Sequence, residues 1–168
     1  MLSKNYKHWI SCDDPKRCVP CEKMHGKIYK LTETPIPKPP LHPFCRCVVK
    51  IMEALKAGTA TDNKLDGADF WLKYKGKLPE YYITENQAKK SGWIPKEGNL
   101  ATTCPNKMIT RGIYKNYEGH LPESPGRIWY EADLNYKFGF RNLQRVLWSN
   151  DGLIFVSYDH YKTFYEIT

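Results

Sequence analysis

Toward the C-terminal end of the chain, Glu131, Arg141, Arg145 and His160 are residue types that can do acid–base chemistry on an anionic substrate. Glu131 lies in a stretch of period two. Ile128, Tyr130, Ala132 and Leu134 fall on one face, and Trp129, Glu131, Asp133 and Asn135 on the other. A strand there sets Glu131 and Asp133 side by side, where they repel one another unless cations are close. Arg141 and Arg145 follow at the next hairpin arm. One reading of this group is a surface ion-pair cluster. The other is a site that cuts RNA, which carries its own nucleophile in the 2′-OH. A carboxylate can take that proton and a histidine can protonate the leaving 5′-oxygen, each contributing roughly 10²–10⁴-fold. Arginine forks match the phosphate oxygens. Such a site uses no metal, and from Leu65 onward there is no Cys/His/Asp cluster with metal-ligand spacing. Its dependence on a 2′-OH argues against DNA as the substrate.

These side chains need a sheet to hold them. Leu143–Ser149 and Leu153–Tyr158 read as further strands, joined by the strong hairpin turn Asn150-Asp151-Gly152. Upstream the pattern is helical. Asp66 can cap a helix carrying Ala68, Phe70, Trp71, Leu72 and Tyr74, which Lys77-Leu78-Pro79 stops. Thr84 with Gln87 forms a capping box for a second short helix, with Gly92 at its far end. Leu100 to Cys104 suits a further helical turn before Pro105. Helices followed by consecutive antiparallel strands predict an α+β domain over residues 65–168.

The preceding chain differs. Pro15, Pro20, Pro35, Pro37, Pro39, Pro40 and Pro43 exclude long helices from residues 1–52, a small loop-rich segment. Ala57 to Lys64 lacks large apolar residues, so residues 53–64 read as a linker. Five of the six cysteines fall in the first segment, at 12, 18, 21, 45 and 47, which implies two units with different stabilising devices. Cys18-x-x-Cys21 can grip one side of a tetrahedral Zn²⁺, and His42 with Cys45 or Cys47 can close it. Cys18, Cys21, His42, Cys45 and Cys47 are five candidates for four places on a structural zinc. Disulfides or free thiols are the alternatives, and the lack of a signal peptide weakens disulfides.

The formal net charge of +8 favours acidic partners such as nucleic acid. The excess is six over residues 1–64 and two over residues 65–168, so RNA binding by the second part must rest on local arginines. The aromatic fraction of 14% excludes a disordered chain. No apolar run approaches a membrane span, and Met1 to Ile10 has no signal-peptide core, so export would need a non-classical route.

Several stretches in the second part together carry a resemblance. They are Lys77-Leu78-Pro79, Tyr82-Ile83-Thr84, Gly92-Trp93, Gly98-Asn99-Leu100-Ala101 and Glu118-Gly119 with Leu121-Pro122. Gly126-Arg127-x-Trp129-x-Glu131-Ala132-Asp133-x-Asn135-Tyr136, Gly139-Phe140-Arg141-Asn142-x-x-Arg145 and Asp159-His160-Tyr161-x-Thr163-Phe164 continue it. In this order the chain from Leu65 to Thr168 resembles the barnase family of small bacterial guanyl-preferring ribonucleases. The resemblance implies Glu131 as general base, His160 as general acid, and Arg141 and Arg145 on the phosphate. It implies Asp133 as a buried carboxylate orienting those arginines and Tyr161 as an aromatic lining the site. Asn116, Tyr117 and Glu118 fall on its guanine-recognition loop. Further implications are short helices packed on a sheet of roughly five antiparallel strands, cleavage of single-stranded RNA 3′ of guanosine through a 2′,3′-cyclic phosphate, no cofactor for catalysis, a monomer, and an acidic barstar-like inhibitor as partner. Two positions depart. Glu85 replaces the family's active-site lysine, where a negative charge hinders phosphate binding. Lys89 and Lys90 lie one turn on. Tyr117 replaces the arginine of the recognition loop and can stack on a base, worth roughly 1–3 kcal/mol.

In the first segment, Trp9-Ile10-Ser11-x-Asp13, Cys18-x-Pro20-Cys21, His25-Gly26-Lys27 and Pro39-Pro40-Leu41-His42-Pro43-x-Cys45-Arg46-Cys47 resemble the C-terminal end of phage minor head (head-morphogenesis) proteins. That resemblance implies a toxin or effector domain carried on a phage-head-like protein, with capsid components as partners. The location it implies is cytoplasmic or virion-associated. The competing expectation is a structural, capsid-associated protein whose nuclease fold binds RNA with weakened catalysis.

Overall fold

In the computed structural model, which describes residues 1–168, the elements follow in order. They are β1 (Leu2–Ile10), α1 (Val19–Met24), β2 (Ile28–Lys30), β3 (Val48–Leu55), α2 (Ala68–Lys75), β4 (Tyr82–Thr84), α3 (Glu85–Lys90) and α4 (Leu100–Thr103). Then come β5 (Met108–Tyr114), β6 (Trp129–Asp133), β7 (Arg145–Ser149), β8 (Ile154–Ser157) and β9 (Tyr165–Ile167). The class is α+β. The sheet has nine strands and not five, in the order β2-β1-β3-β9-β8-β7-β6-β5-β4. It is antiparallel except where β3 meets β9 and β4 meets β5, which are parallel. No helix is long and apolar enough to cross a membrane.

The extra strands come chiefly from the segment read as loop-rich. Pro20 sits in the first turn of α1 and the other prolines fall between elements, five of them between β2 and β3, but β1 is a long strand. Its buried residues are Ser3, Tyr6 and Trp9, three apart: the register against β3 shifts between Leu2 and Lys7, and beyond it Tyr6 and Trp9 are buried in different clusters. Such an irregularity erases the alternation by which a strand is recognised.

Residues 53–64 include the end of β3 and a docked turn. Ala57 and Ala60 are buried. The backbone N–H groups of Gly58 and Ala60 donate to Asp69 Oδ2 at 2.7 and 3.0 Å, and Thr61 Oγ1 donates to Asp69 Oδ1 at 3.0 Å. Asp69 is fully buried, so these bonds compensate its charge. Asp66 does not cap α2. Gly67 occupies the N-cap without a side-chain bond, and Gly76 in the left-handed region ends the helix. The Thr84–Gln87 capping box of α3 forms as expected.

Two faces of the central strands are covered differently. On one, Ala132, Leu134, Val146 and Val156 pack on Ala68 and Leu72 of α2. The other face, which carries Glu131 and Asp133, is not uniformly polar. Trp129, Leu147 and Phe155 on it cluster with Phe164 and with Tyr6, Ile28 and Met52 from the N-terminal strands. That cover leaves the Glu131–Asp133 end of the face for a site.

Candidate active site

Strand register brings the predicted groups together. Asp133 on β6 pairs with Arg145 on β7, so their side chains share a face. Asp133 has no exposed surface. Arg141 donates to it from Nε at 2.7 Å and from Nη2 at 2.5 Å, a two-toothed contact, and Arg145 Nη1 lies 3.3 Å away. Arg145 Nη1 also donates to the carbonyls of Asn142 and Gln144, both at 2.7 Å. The two arginines are thereby fixed before any anion arrives.

Glu131 is buried, and the Tyr161 hydroxyl donates to its Oε2 at 2.5 Å. Burial and this bond hold the Tyr161 phenol well above its ordinary value, so it remains a donor. Tyr161 stacks on Tyr114, with ring centroids 5.4 Å apart. Burial, with Glu131 and Glu118 nearby, pushes Tyr114 up to about 12.

His160 and Tyr161 both adopt left-handed backbone, at φ 59° and 69°. Two successive side-chain-bearing residues there carry strain that their surroundings must enforce. Leu143 O accepts the N–H of His160 at 3.0 Å, and Ser157 Oγ that of Tyr161 at 2.9 Å. Asp159 Oδ1 accepts from Ser157 Oγ and from the N–H groups of Lys162 and Thr163. The turn is pinned from both sides. His160 titrates below the ordinary histidine value, first because it is partly buried, then because Arg145 repels its charged form, with Glu131 opposing.

Glu131, His160 and Tyr161 line one cleft together with Arg111, Tyr117 and Glu118. Asn116 borders the cleft, but its side chain turns into its own loop. Its Nδ2 donates to Leu121 O at 2.9 Å and to Glu123, and its Oδ1 accepts from Leu121 N at 3.1 Å. It shapes the 116–121 loop, whose Tyr117 is almost fully exposed.

Arg111, on β5, was not among the residues singled out by sequence. Its Nε lies 2.9 Å from Glu85 Oε1 and its Nη1 3.7 Å from Glu131 Oε1. Glu85 also faces Arg141 Nη1 at 3.6 Å and Lys89 at 3.7 Å. The available signal was Gly112 just after Arg111, since a glycine inside a strand marks a bulge that re-aims a neighbour.

A family model described as ribonuclease matches residues 71–168. The chain belongs to the ribonuclease family. A ribonuclease of Heyndrickxia coagulans is 48% identical over 109 residues, which cover 64% of this chain and 99% of that protein. Ribonucleases of Bacillus intermedius and Bacillus pumilus are each 48% identical over 109 residues, 64% of this chain and 67% of theirs. Glu131, Arg141, Arg145 and His160 all fall inside the ribonuclease match, and β1 to β3 precede it.

The N-terminal Cys/His cluster therefore lies outside the ribonuclease match. No disulfide links its cysteines. Cys18, Cys21 and His42 form one group able to hold a metal ion, and Cys21, Cys45 and Cys47 another. His42 Nε2 is 3.1 Å from Cys18 Sγ and 3.2 Å from Cys21 Sγ, and Cys21 Sγ is 3.6 Å from Cys45 Sγ. The other ring nitrogen of His42, Nδ1, is 2.8 Å from Pro43 O. An N–H donated there would leave Nε2 as the free ligand atom, an arrangement usual for a metal-bound histidine. Burial raises the Cys45 thiol, but N–H groups of Cys47 and Leu41 directed at its sulfur outweigh this and leave it at about 6. The donor set of thiols and one imidazole fits zinc.

Proposed function

We propose that the chain is an endoribonuclease that cleaves single-stranded RNA 3′ of guanosine by acid–base transesterification through a 2′,3′-cyclic phosphate. The observation that carries this reading is the meeting of Glu131 and His160 in one cleft, beside arginines locked by Asp133. Glu131 would take the 2′-OH proton, helped by the Tyr161 hydroxyl that fixes its carboxylate. The 2′-oxygen then forms a bond to phosphorus as the 5′-oxygen leaves with a proton from His160. Fixed guanidinium groups beside the cleft favour the added phosphoryl charge. Hydrolysis of the cyclic ester runs the two proton transfers in reverse. Glu118 and the backbone of the loop held by Asn116 suit the edge of guanine, and exposed Tyr117 suits its face. The test is cleavage of guanosine-containing RNA by Glu131→Ala and His160→Ala proteins. Each is expected to lose at least about 10²-fold, and wild-type rates in either would overturn the assignment.

The same proposal takes residues 1–52 as a phage-head-protein-like segment, 53–64 as the connection and 65–168 as the catalytic unit. A structural zinc sits on four of Cys18, Cys21, His42, Cys45 and Cys47, a reading supported by the orientation of His42. Stoichiometric metal in reduced, purified protein is expected; its absence would remove the zinc. The unit would act as a toxin, with an acidic inhibitor covering the cleft. A second reading, RNA binding with weakened catalysis, draws on Glu85 standing 3.6 Å from Arg141. The same cleavage assay separates the two.

A further inference from the structure

A carboxylate at the edge of a phosphate site opposes the substrate unless something occupies it. Glu85, the first residue of α3, is such a carboxylate, and Arg111 occupies it at 2.9 Å. The backbone explains how Arg111 gets there. Thr110 pairs with Ala132 and Gly112 with Glu131, so Arg111 is the additional residue of a bulge in β5. Gly112 supplies the left-handed φ of 73°. The bulge puts two residues opposite Glu131. It keeps the Arg111 side chain on the catalytic face, between Glu85 and Glu131.

The three arginines of this face are not equivalent. Arg145 and Arg141 keep 7% and 18% of their side chains exposed; Arg141 directs Nε and Nη2 at Asp133, and Arg145 directs Nη1 at Asp133 and two loop carbonyls. Arg111 is 51% exposed and lines the cleft itself. A guanidinium has five donors, and the contacts to Glu85 and Glu131 use two of its nitrogens.

Resting on the ribonuclease reading above, we propose that Arg111 is a catalytic residue that binds the scissile phosphate, and that Glu85 is its positioning residue. The guanidinium stays charged throughout and donates to a non-bridging phosphate oxygen as negative charge builds there during attack by the 2′-oxygen. Glu85 fixes the other edge of the fork. The carboxylate that looks like a defect in the site is on this reading its means of holding a mobile cation.

The experiment follows cleavage of a guanosine-containing dinucleotide, with inorganic phosphate as competing anion. Arg111→Ala should lose about 10²-fold in kcat, weaken phosphate inhibition, and melt as the wild type does. Arg111→Lys keeps the charge without the fork and should fall between them. Glu85→Gln should lower kcat several-fold when Arg111 is present and should not lower it in the Arg111→Ala protein, because positioning needs something to position. Wild-type kcat in a folded Arg111→Ala protein overturns the role of Arg111. Equal effects of Glu85→Gln in both backgrounds overturn the role of Glu85. Glu131→Ala and His160→Ala run alongside. Their inactivity with an active Arg111→Ala sinks this inference alone, whereas activity in all three sinks the ribonuclease reading.

Discussion

His160 must be protonated to act as an acid, yet burial and Arg145 both disfavour its charged form. The sign follows directly. Its pKa lies below the ordinary histidine value, so the alkaline limb of kcat/KM should fall at a pH below about 6.5. Arg145→Gln removes a repelling charge and should move that limb upward, even as the maximum rate drops. A limb that stays put in a pH–rate series would show that Arg145 does not act on His160. Asp133 makes a second prediction. It is fully buried and joined to two arginines, and Asp133→Asn leaves Arg145 without its carboxylate and Arg141 with only Glu85 at 3.6 Å. The expected loss is about 3–5 kcal/mol in denaturant unfolding, far above that of an exposed pair. At this scale the sequence was readable wherever a residue type and a strand period sufficed, as with Glu131 and Asp133. It was not readable for Asn116, whose partners Leu121 and Glu123 depend on how its loop closes. Nor was it for Arg111, because a bulge changes which side chains share a face.

Local contacts made elements legible, and distant ones hid them. The α3 cap needs only Thr84 and Gln87, three residues apart, and it formed as read. The start of α2 is governed by Asp69 reaching back to residues 58–61, which no helix-start pattern encodes. β1 hid behind a burial spacing of three. The α3 cap matters beyond the helix, since Glu85 is its first residue. Thr84→Ala should cost about 1 kcal/mol of stability and should also reduce kcat, because the carboxylate that holds Arg111 is anchored by that turn. A stability loss with kcat unchanged would mean that Glu85 keeps its place without the cap.

Across the molecule, composition and cysteine spacing suggest two units, while the strands join them into one sheet. β3 pairs with β9, and Ile28 N donates to His120 O at 2.8 Å, tying the N-terminal strands to the 116–121 loop. Met52, with no exposed surface, packs in one cluster with Trp129 and Phe155 beside Glu131 on the same face of the sheet. Met52→Ala opens a cavity there and should destabilise by about 2–5 kcal/mol. If the sheet folds as one body, thermal unfolding should stay a single transition that shifts as a whole, and loss of RNA cleavage on heating should track it. Chelation of the proposed zinc should lower the same transition, because Cys21 and Cys47 pack on Trp9 of β1. Two separate transitions, with cleavage surviving the first, would instead mean that residues 65–168 hold the site without the strands that cover the adjoining part of its face.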